Sequence, residues 1–308
     1  MNDAPLYADL AEAPSDGYAI WAEAADGVRL RLAFWPRGDK GTVLVLPGRT
    51  EFIEKYGRTA QEFAQRGYAM ACIDWRGQGL SDRLVPNRQI GHVEHFRDYQ
   101  SDLQALLKAA AKAKLPRPYF LCAHSMGGTI ALRALHENLD VVKSVFSAPM
   151  WGLLIDPLWR PLVQAVAAGS RTVGLGQEFA PGTGPKNYIA SHEFEDNSLT
   201  SSRDGWDYMC RLINEHPGLE IGGPSIQWLY AALTETRELM SMTPPLLDLL
   251  CLVGSDEKVV DKKDMAEYME RWPNGQLSIV TGARHEIFME SPEIRKRTHD
   301  IMDAFFMA

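Results

Sequence analysis

Tyr119-Phe120-Leu121-Cys122-Ala123-His124-Ser125-Met126-Gly127-Gly128-Thr129 is the stretch that decides the fold. Its first four residues form a continuous apolar run, the pattern of a strand buried on both faces. Beyond the serine, Met126, Ile130, Ala134 and Leu135 recur at helical spacing. Ser125 therefore stands on a strand-to-helix junction, with Ala123 and Gly127 two residues away on either side. A serine on such a turn is lifted clear of the backbone, and small flanking residues let the strand and helix approach. The helix start aims unpaired N–H groups and a positive dipole end at the space above the hydroxyl. The Met126 amide is then placed to hold an oxyanion. The pattern is Ala-x-Ser-x-Gly, one methyl away from the usual Gly-x-Ser-x-Gly. A buried serine that merely begins a helix would fit the same five residues, so the flanking chain must separate the two.

Working outward, residues 18–24 and 28–35 read as strands joined by an Asp26-Gly27 hairpin turn. Residues 42–46 and 68–73 are short apolar strands around a helix at 49–65 that carries Tyr56, Ala60, Phe63 and Ala64 on one face. Residues 92–113 read as a long amphipathic helix with Phe96, Tyr99, Leu103, Leu106, Leu107 and Ala110 in one stripe. Pro116 and Pro118 end it before the serine strand. A strand at 141–146 follows. From Met150 to about Met242 the chain turns rich in Trp, Leu, Gly and Pro, with helical patches and no convincing strand. The sheet pattern resumes at 249–253 and 276–280, with helices at 261–271 and 292–306. The first 16 residues carry no period and read as an arm. Strand–helix alternation at these lengths predicts an α/β fold with a mostly parallel, doubly wound sheet. Its core comprises residues 1–149 and 243–308, and residues 150–242 are a helical insertion, with no internal repeat.

Composition bounds the function. Of 308 residues, 45% are hydrophobic and 23% charged, which is the balance of a soluble globular protein. The net charge of −8 argues against a nucleic-acid partner, which needs a basic surface. No apolar run approaches the roughly 20 residues of a membrane span. The first ten residues lack the basic-then-apolar plan of a signal peptide. Cys72, Cys122, Cys210 and Cys251 form no C-x-x-C or Cys/His cluster, so neither a metal site nor a disulfide framework is expected. The expected compartment is the reducing cytoplasm.

A nucleophilic serine needs a base to take its proton and an acid to orient that base. Both should lie at the carboxyl ends of later strands, where the loops of an open α/β sheet converge. Two loops qualify. Gly254-Ser255-Asp256-Glu257-Lys258-Val259-Val260 offers two adjacent carboxylates, and Thr281-Gly282-Ala283-Arg284-His285-Glu286 offers a histidine. Of eight histidines, His285 alone follows a late strand through a glycine turn. His124 is read as packing or lining the pocket, and His92 and His95 as structural. After the third strand comes Leu46-Pro47-Gly48-Arg49-Thr50-Glu51. In a doubly wound order this turn lies beside the serine strand, which makes the Arg49 amide the second oxyanion donor. The same Pro-Gly is also what an ordinary turn would carry.

Together these motifs resemble the α/β-hydrolases, and within them the monoglyceride lipase and lysophospholipase L2 branch of serine aminopeptidase-like hydrolases. The resemblance spans residues 20–306. It rests on Pro47 to Glu51 with Lys55-Tyr56, on Asp74-Trp75-Arg76-Gly77-Gln78-Gly79-Leu80-Ser81, on Ala123 to Gly127, on Gly254 to Asp261, and on Gly282 to Glu286. In the insertion it rests on Leu199 to Ser202 and Ile221 to Pro224 with Trp228. The family's spacing puts the acid three residues after Gly254, at Glu257 rather than Asp256. Three departures stand out: Pro47-Gly48 where relatives carry His-Gly, Ala123 for the first elbow glycine, and Glu257 where aspartate is usual. The Asp74 to Ser81 loop is read as structural, with Arg76 pinning neighbouring loop carbonyls.

The resemblance implies a cofactor-independent serine hydrolase acting on a small, lipid-like carboxylic ester. Ser125, His285 and Glu257 would be catalytic, and the Arg49 and Met126 amides would form the oxyanion hole. The insertion would be a lid, with Met150, Trp151, Leu153, Leu154, Ile155, Leu158 and Trp159 packing on the core, lining an acyl pocket, or both. Membrane contact would be transient at most, and the oligomeric state stays open. An acyltransferase would use the same triad. An aminopeptidase would need an acidic pocket, which Glu193, Glu195 and Asp196 could supply. A ligand-binding protein on the same scaffold is the non-enzymatic alternative, and an intact triad counts against it. An epoxide hydrolase or dehalogenase would carry aspartate where Ser125 stands.

Overall fold

The computed structural model describes residues 2–152 and 160–308. Nine strands form one sheet in the order β1-β2-β3-β5-β4-β6-β7-β8-β9. These are β1 (Asn2–Ala4), β2 (Tyr18–Glu23), β3 (Arg29–Trp35), β4 (Thr42–Leu46), β5 (Ala69–Asp74), β6 (Tyr119–His124), β7 (Ser144–Ser147), β8 (Leu249–Gly254) and β9 (Gly275–Val280). The pairs β1/β2, β2/β3 and β3/β5 are antiparallel, and every pair from β5 to β9 is parallel. The expected mostly parallel, doubly wound sheet is found.

Helices cover both faces of the sheet, and all but the last of them cross over between parallel strands. They are α2 (Gly57–Gln65), α3 (Asp98–Lys112), α4 (Met126–His136), α8 (Lys262–Glu270) and α9 (Pro292–Met307). Strands buried on both sides read as continuous apolar runs because alternate side chains feed two cores. In β6, Tyr119, Leu121 and Ala123 join one hydrophobic cluster, and Phe120 and Cys122 join the other. Between β7 and β8 lie α5 (Arg160–Thr172), α6 (Arg203–Glu215) and α7 (Ile226–Ser241). Both α6 and α7 bury apolar faces against the core: Trp206, Tyr208, Met209 and Leu212 on one side of the sheet, Trp228, Ala231 and Leu239 on the other. Among the described residues no helix is long and apolar enough to cross a membrane.

Four local expectations are corrected. The first 16 residues are not all an arm, since β1 pairs with β2 and a short helix α1 (Ala8–Ala11) buries Leu10 in the core. The helix expected at 49–65 is a 3₁₀ turn (Ile53–Tyr56) leading into α2. The long helix begins at Asp98, not His92: Asp98 accepts a hydrogen bond from the His95 amide at 3.0 Å and so starts the helix there. The strand expected at 141–146 pairs only from Ser144, with Val142 left exposed.

Candidate active site

Ser125 sits between β6 and α4 with φ 49° and ψ −117°, a left-handed conformation that costs a non-glycine residue energy. Three main-chain bonds hold it there. Its amide donates to the Ser147 carbonyl at 3.0 Å, and its carbonyl accepts from the Gly128 and Met150 amides, each at 2.9 Å. A Cβ on Gly127 would lie 2.1 Å from the Leu46 carbonyl oxygen and 2.7 Å from that of Pro47. The need for glycine here thus comes from the neighbouring strand β4. Ala123 points into the core and accommodates its methyl.

His285 follows β9, and Glu257 follows β8. His285 Nε2 lies 3.1 Å from Ser125 Oγ, and its Nδ1 lies 2.8 Å from Glu257 Oε2. Glu257 Oε1 accepts from the Val259 and Val260 amides, so both its oxygens are engaged. Burial raises the Glu257 carboxyl. The hydrogen bond and charge of His285, with the two amides, outweigh that and leave it below the usual range. Asp256 is exposed, and its Oδ1 accepts a hydrogen bond from Ser255 Oγ at 3.4 Å. The acid and histidine loops are joined by the Asp256 amide on the Ala283 carbonyl and the Gly282 amide on Ser255 Oγ, both at 3.0 Å. A Cβ on Gly254 would come within 2.3 Å of the Ala283 carbonyl oxygen, so this close approach requires glycine.

Arg49 follows β4, which pairs with the serine strand β6 as expected. Among the described residues, neither the Arg49 nor the Met126 amide has a hydrogen-bond partner. Unpaired amides at the first residue of a helix and at a neighbouring loop are the two donors an oxyanion hole uses. Thr50 holds φ 64°, a strained value, and its amide donates to Gln78 Oε1.

The family profile described as "Serine aminopeptidase, S33" matches residues 38–292. The chain belongs to this family of α/β-hydrolases. It is 30% identical to lysophospholipase L2 of Escherichia coli K12 over 280 residues, covering 85% of this chain and 79% of that one. It is 29% identical to a probable lysophospholipase L2 of Haemophilus influenzae over 258 residues, covering 82% and 80%. Among solved structures it resembles a soluble variant of monoglyceride lipase from Saccharomyces cerevisiae, in complex with a substrate analog. The TM-score is 0.71 at 19% identity over 92% of this chain and 93% of that one, a likeness of fold.

Beneath Ser125, His285 and Glu257 of this family member lies a charge cluster that sequence reasoning missed. Glu51 accepts from the Gly48 amide, from Lys55 Nζ and from Tyr56 Oη at 2.6 Å. Lys55 Nζ also reaches Glu286 Oε1 at 2.7 Å. His124 Nδ1 faces the Ser147 carbonyl at 3.1 Å and must therefore carry a proton. Its Nε2 faces Glu286 Oε2 at 3.3 Å, an ion pair not aligned as a hydrogen bond. A bare nitrogen against a carboxylate would be repulsive, so His124 is an imidazolium. Burial lowers its pKa, but Glu286 and Glu51 outweigh burial and raise it. Two carboxylates, one ammonium and one imidazolium leave the cluster neutral. Glu51, His124 and Glu286 have the donor types and spacing for a metal ion, but the Lys55 ammonium already bridges both carboxylates. Glu51 also fixes the loop that carries Arg49, through the Gly48 amide. The available signal was the i, i+4 pair Glu51/Lys55 beside that loop.

His92 is buried with Nδ1 2.9 Å from Ser225 Oγ, and His95 is exposed. Arg76 is structural, but it pairs with the Asp102 and Asp26 carboxylates rather than with loop carbonyls. A cavity of about 340 Å³ opens over Ser125 and His285, lined on its apolar side by Met150, Ile189, Leu199, Met209, Leu212 and Trp228. Trp151 is not in its wall; it is buried against Phe146 and Tyr268. Leu153, Leu154, Ile155, Leu158 and Trp159 lie outside the described residues. Glu193, Glu195 and Asp196 are exposed and do not line the cavity. Arg49 does line it. Burial pulls this guanidinium down to about 10, so it is charged at neutral pH.

Proposed function

We propose that the chain, a carboxylic ester hydrolase, cleaves lysophospholipid- or monoacylglycerol-like esters through a Ser125–His285–Glu257 triad and an acyl-enzyme. Ser125 Oγ attacks the acyl carbonyl while its proton passes to His285 Nε2. Glu257 Oε2 accepts from Nδ1–H and so holds the productive tautomer. The Met126 and Arg49 amides receive the oxyanion of the tetrahedral intermediate. Collapse expels the alcohol, which takes the proton from His285, and water repeats the sequence to release the acid. Residues 150–242 form the lid, and the apolar wall takes the acyl chain. The observation that carries this is the single hydrogen-bonded line from Glu257 through His285 to Ser125. The cavity does not favour the aminopeptidase alternative. Its carboxylates are neutralised within the buried cluster, and its remaining charge is cationic, unsuited to a substrate ammonium.

The test is a panel of p-nitrophenyl esters of rising acyl length beside an aminoacyl anilide, with wild type and Ser125→Ala. Medium and long esters should be cleaved faster than acetate. Ser125→Ala should lose on the order of 10⁶ in kcat while unfolding at the same temperature. Activity surviving in a folded Ser125→Ala, or anilide cleavage without ester cleavage, would sink the reading.

A further inference from the structure

Among the described residues, the charged groups around the cavity are paired with one another, except one. Lys55 lies on Glu51 and Glu286, and His124 lies on Glu286. Arg49 has no carboxylate within ion-pair distance among the described residues. Its Nη2 donates to the Gly222 carbonyl, its guanidinium lies 5.4 Å from the centre of the Trp228 ring, and its Nε is buried with no partner. A carbonyl dipole and a ring face hold the side chain in place, but neither cancels its charge. A cation with unused donors in a largely apolar cavity costs free energy unless an anion completes it. The unfilled donors belong to a planar fork, the geometry that receives phosphate oxygens.

Position narrows the ligand. The Arg49 amide belongs to the loop beside Ser125, while its guanidinium reaches the insertion at Gly222 and Trp228. An anion bound there lies within one arginine side chain of the acyl carbonyl. That suits a charge on the small alcohol half of an ester, not one at the far end of an acyl chain.

We infer that Arg49 is a specificity-determining anion subsite, and that the preferred substrate is an acyl ester whose alcohol half carries a phosphate. The inference rests on the serine-hydrolase reading above and selects between its two substrate classes.

The experiment compares kcat/KM for 1-acylglycerol 3-phosphate, its ethanolamine phosphodiester and neutral 1-monoacylglycerol of one short acyl chain. Wild type, Arg49→Gln and Arg49→Lys are assayed. Wild type should prefer one or both phosphate esters, and the pair shows whether a monoester or a diester fits better. In Arg49→Gln the phosphate-to-neutral ratio should fall about tenfold to a hundredfold, with Arg49→Lys between. Independently of any variant, glycerol 3-phosphate should compete with p-nitrophenyl butyrate on wild type, and glycerol should not. A ratio unmoved by Arg49→Gln, as a purely structural clamp would give, overturns the inference, as does equal failure of glycerol and glycerol 3-phosphate to compete. Cleavage of neutral esters with an unmoved ratio overturns the subsite alone. No ester turnover by wild type overturns the hydrolase reading beneath it.

Discussion

Glu257 and Asp256 are adjacent acids with opposite surroundings. Glu257 is buried, with one oxygen on His285 and the other on two amides, whereas Asp256 faces solvent. The longer glutamate side chain spans from its loop to the imidazole at an ordinary 2.8 Å. Glu257→Gln keeps the shape but frees the wrong histidine tautomer, and we expect a loss of about 10⁴-fold in kcat. Asp256→Asn should cost less than about tenfold. Steady-state kinetics on one ester decide between them, and the reverse ranking would move the acid to Asp256. Both carboxylates were visible in the sequence, but their different burial was not. The same limit hid Glu51, Lys55 and Glu286. Glu286 is far along the chain from both its partners, Lys55 and His124, and such charges look like any solvated surface until the fold brings them together.

At the scale of elements, the turn carrying Ser125 was legible because its constraints are local. An apolar strand, a serine and a small residue two places on can be read from five positions. What the sequence did not disclose is which element crowds the glycine. It is β4, through the Leu46 and Pro47 carbonyls. Gly127→Ala should therefore push β4 from α4, costing roughly 1–3 kcal/mol or more and disturbing the Arg49 loop with it. Ala123→Gly meets no such carbonyl and should cost about 1 kcal/mol, with activity retained. Urea unfolding and ester turnover of the two variants provide the comparison. Boundaries were read less well than the turn. The start of α3 depends on a hydrogen bond from the His95 amide to Asp98, and β1 depends on its pairing with β2. Periodicity carries neither signal.

The whole molecule links charge to stability. His299 on α9 is buried against Phe63 and Phe288, with Nδ1 bonded to the Arg295 carbonyl. Burial lowers its pKa from 6.5 to about 4. The folded state thus stays neutral where the unfolded chain takes up a proton, so stability present above pH 6.5 is lost as pH falls towards about 4. The loss should reach on the order of 3 kcal/mol. Glu286, held well below its ordinary value because Lys55 and His124 outweigh its burial, adds a further loss below pH 4.5. Thermal unfolding from pH 7 to 4 should show the first limb, and His299→Gln should flatten it. An equal slope in both proteins would refute the assignment. Ties from the insertion to the core have a mechanical side. At its start, the Met150 amide is bonded to the carbonyl of Ser125, and Trp151 is packed among core rings. Further on, Tyr208 Oη donates towards the Ala11 and Glu54 carbonyls, at 2.9 and 2.8 Å. A segment anchored at separate points cannot swing like a door about one hinge. Any movement of such a segment as one body would have to break both ties, and the first of them is made to the main chain of Ser125 itself.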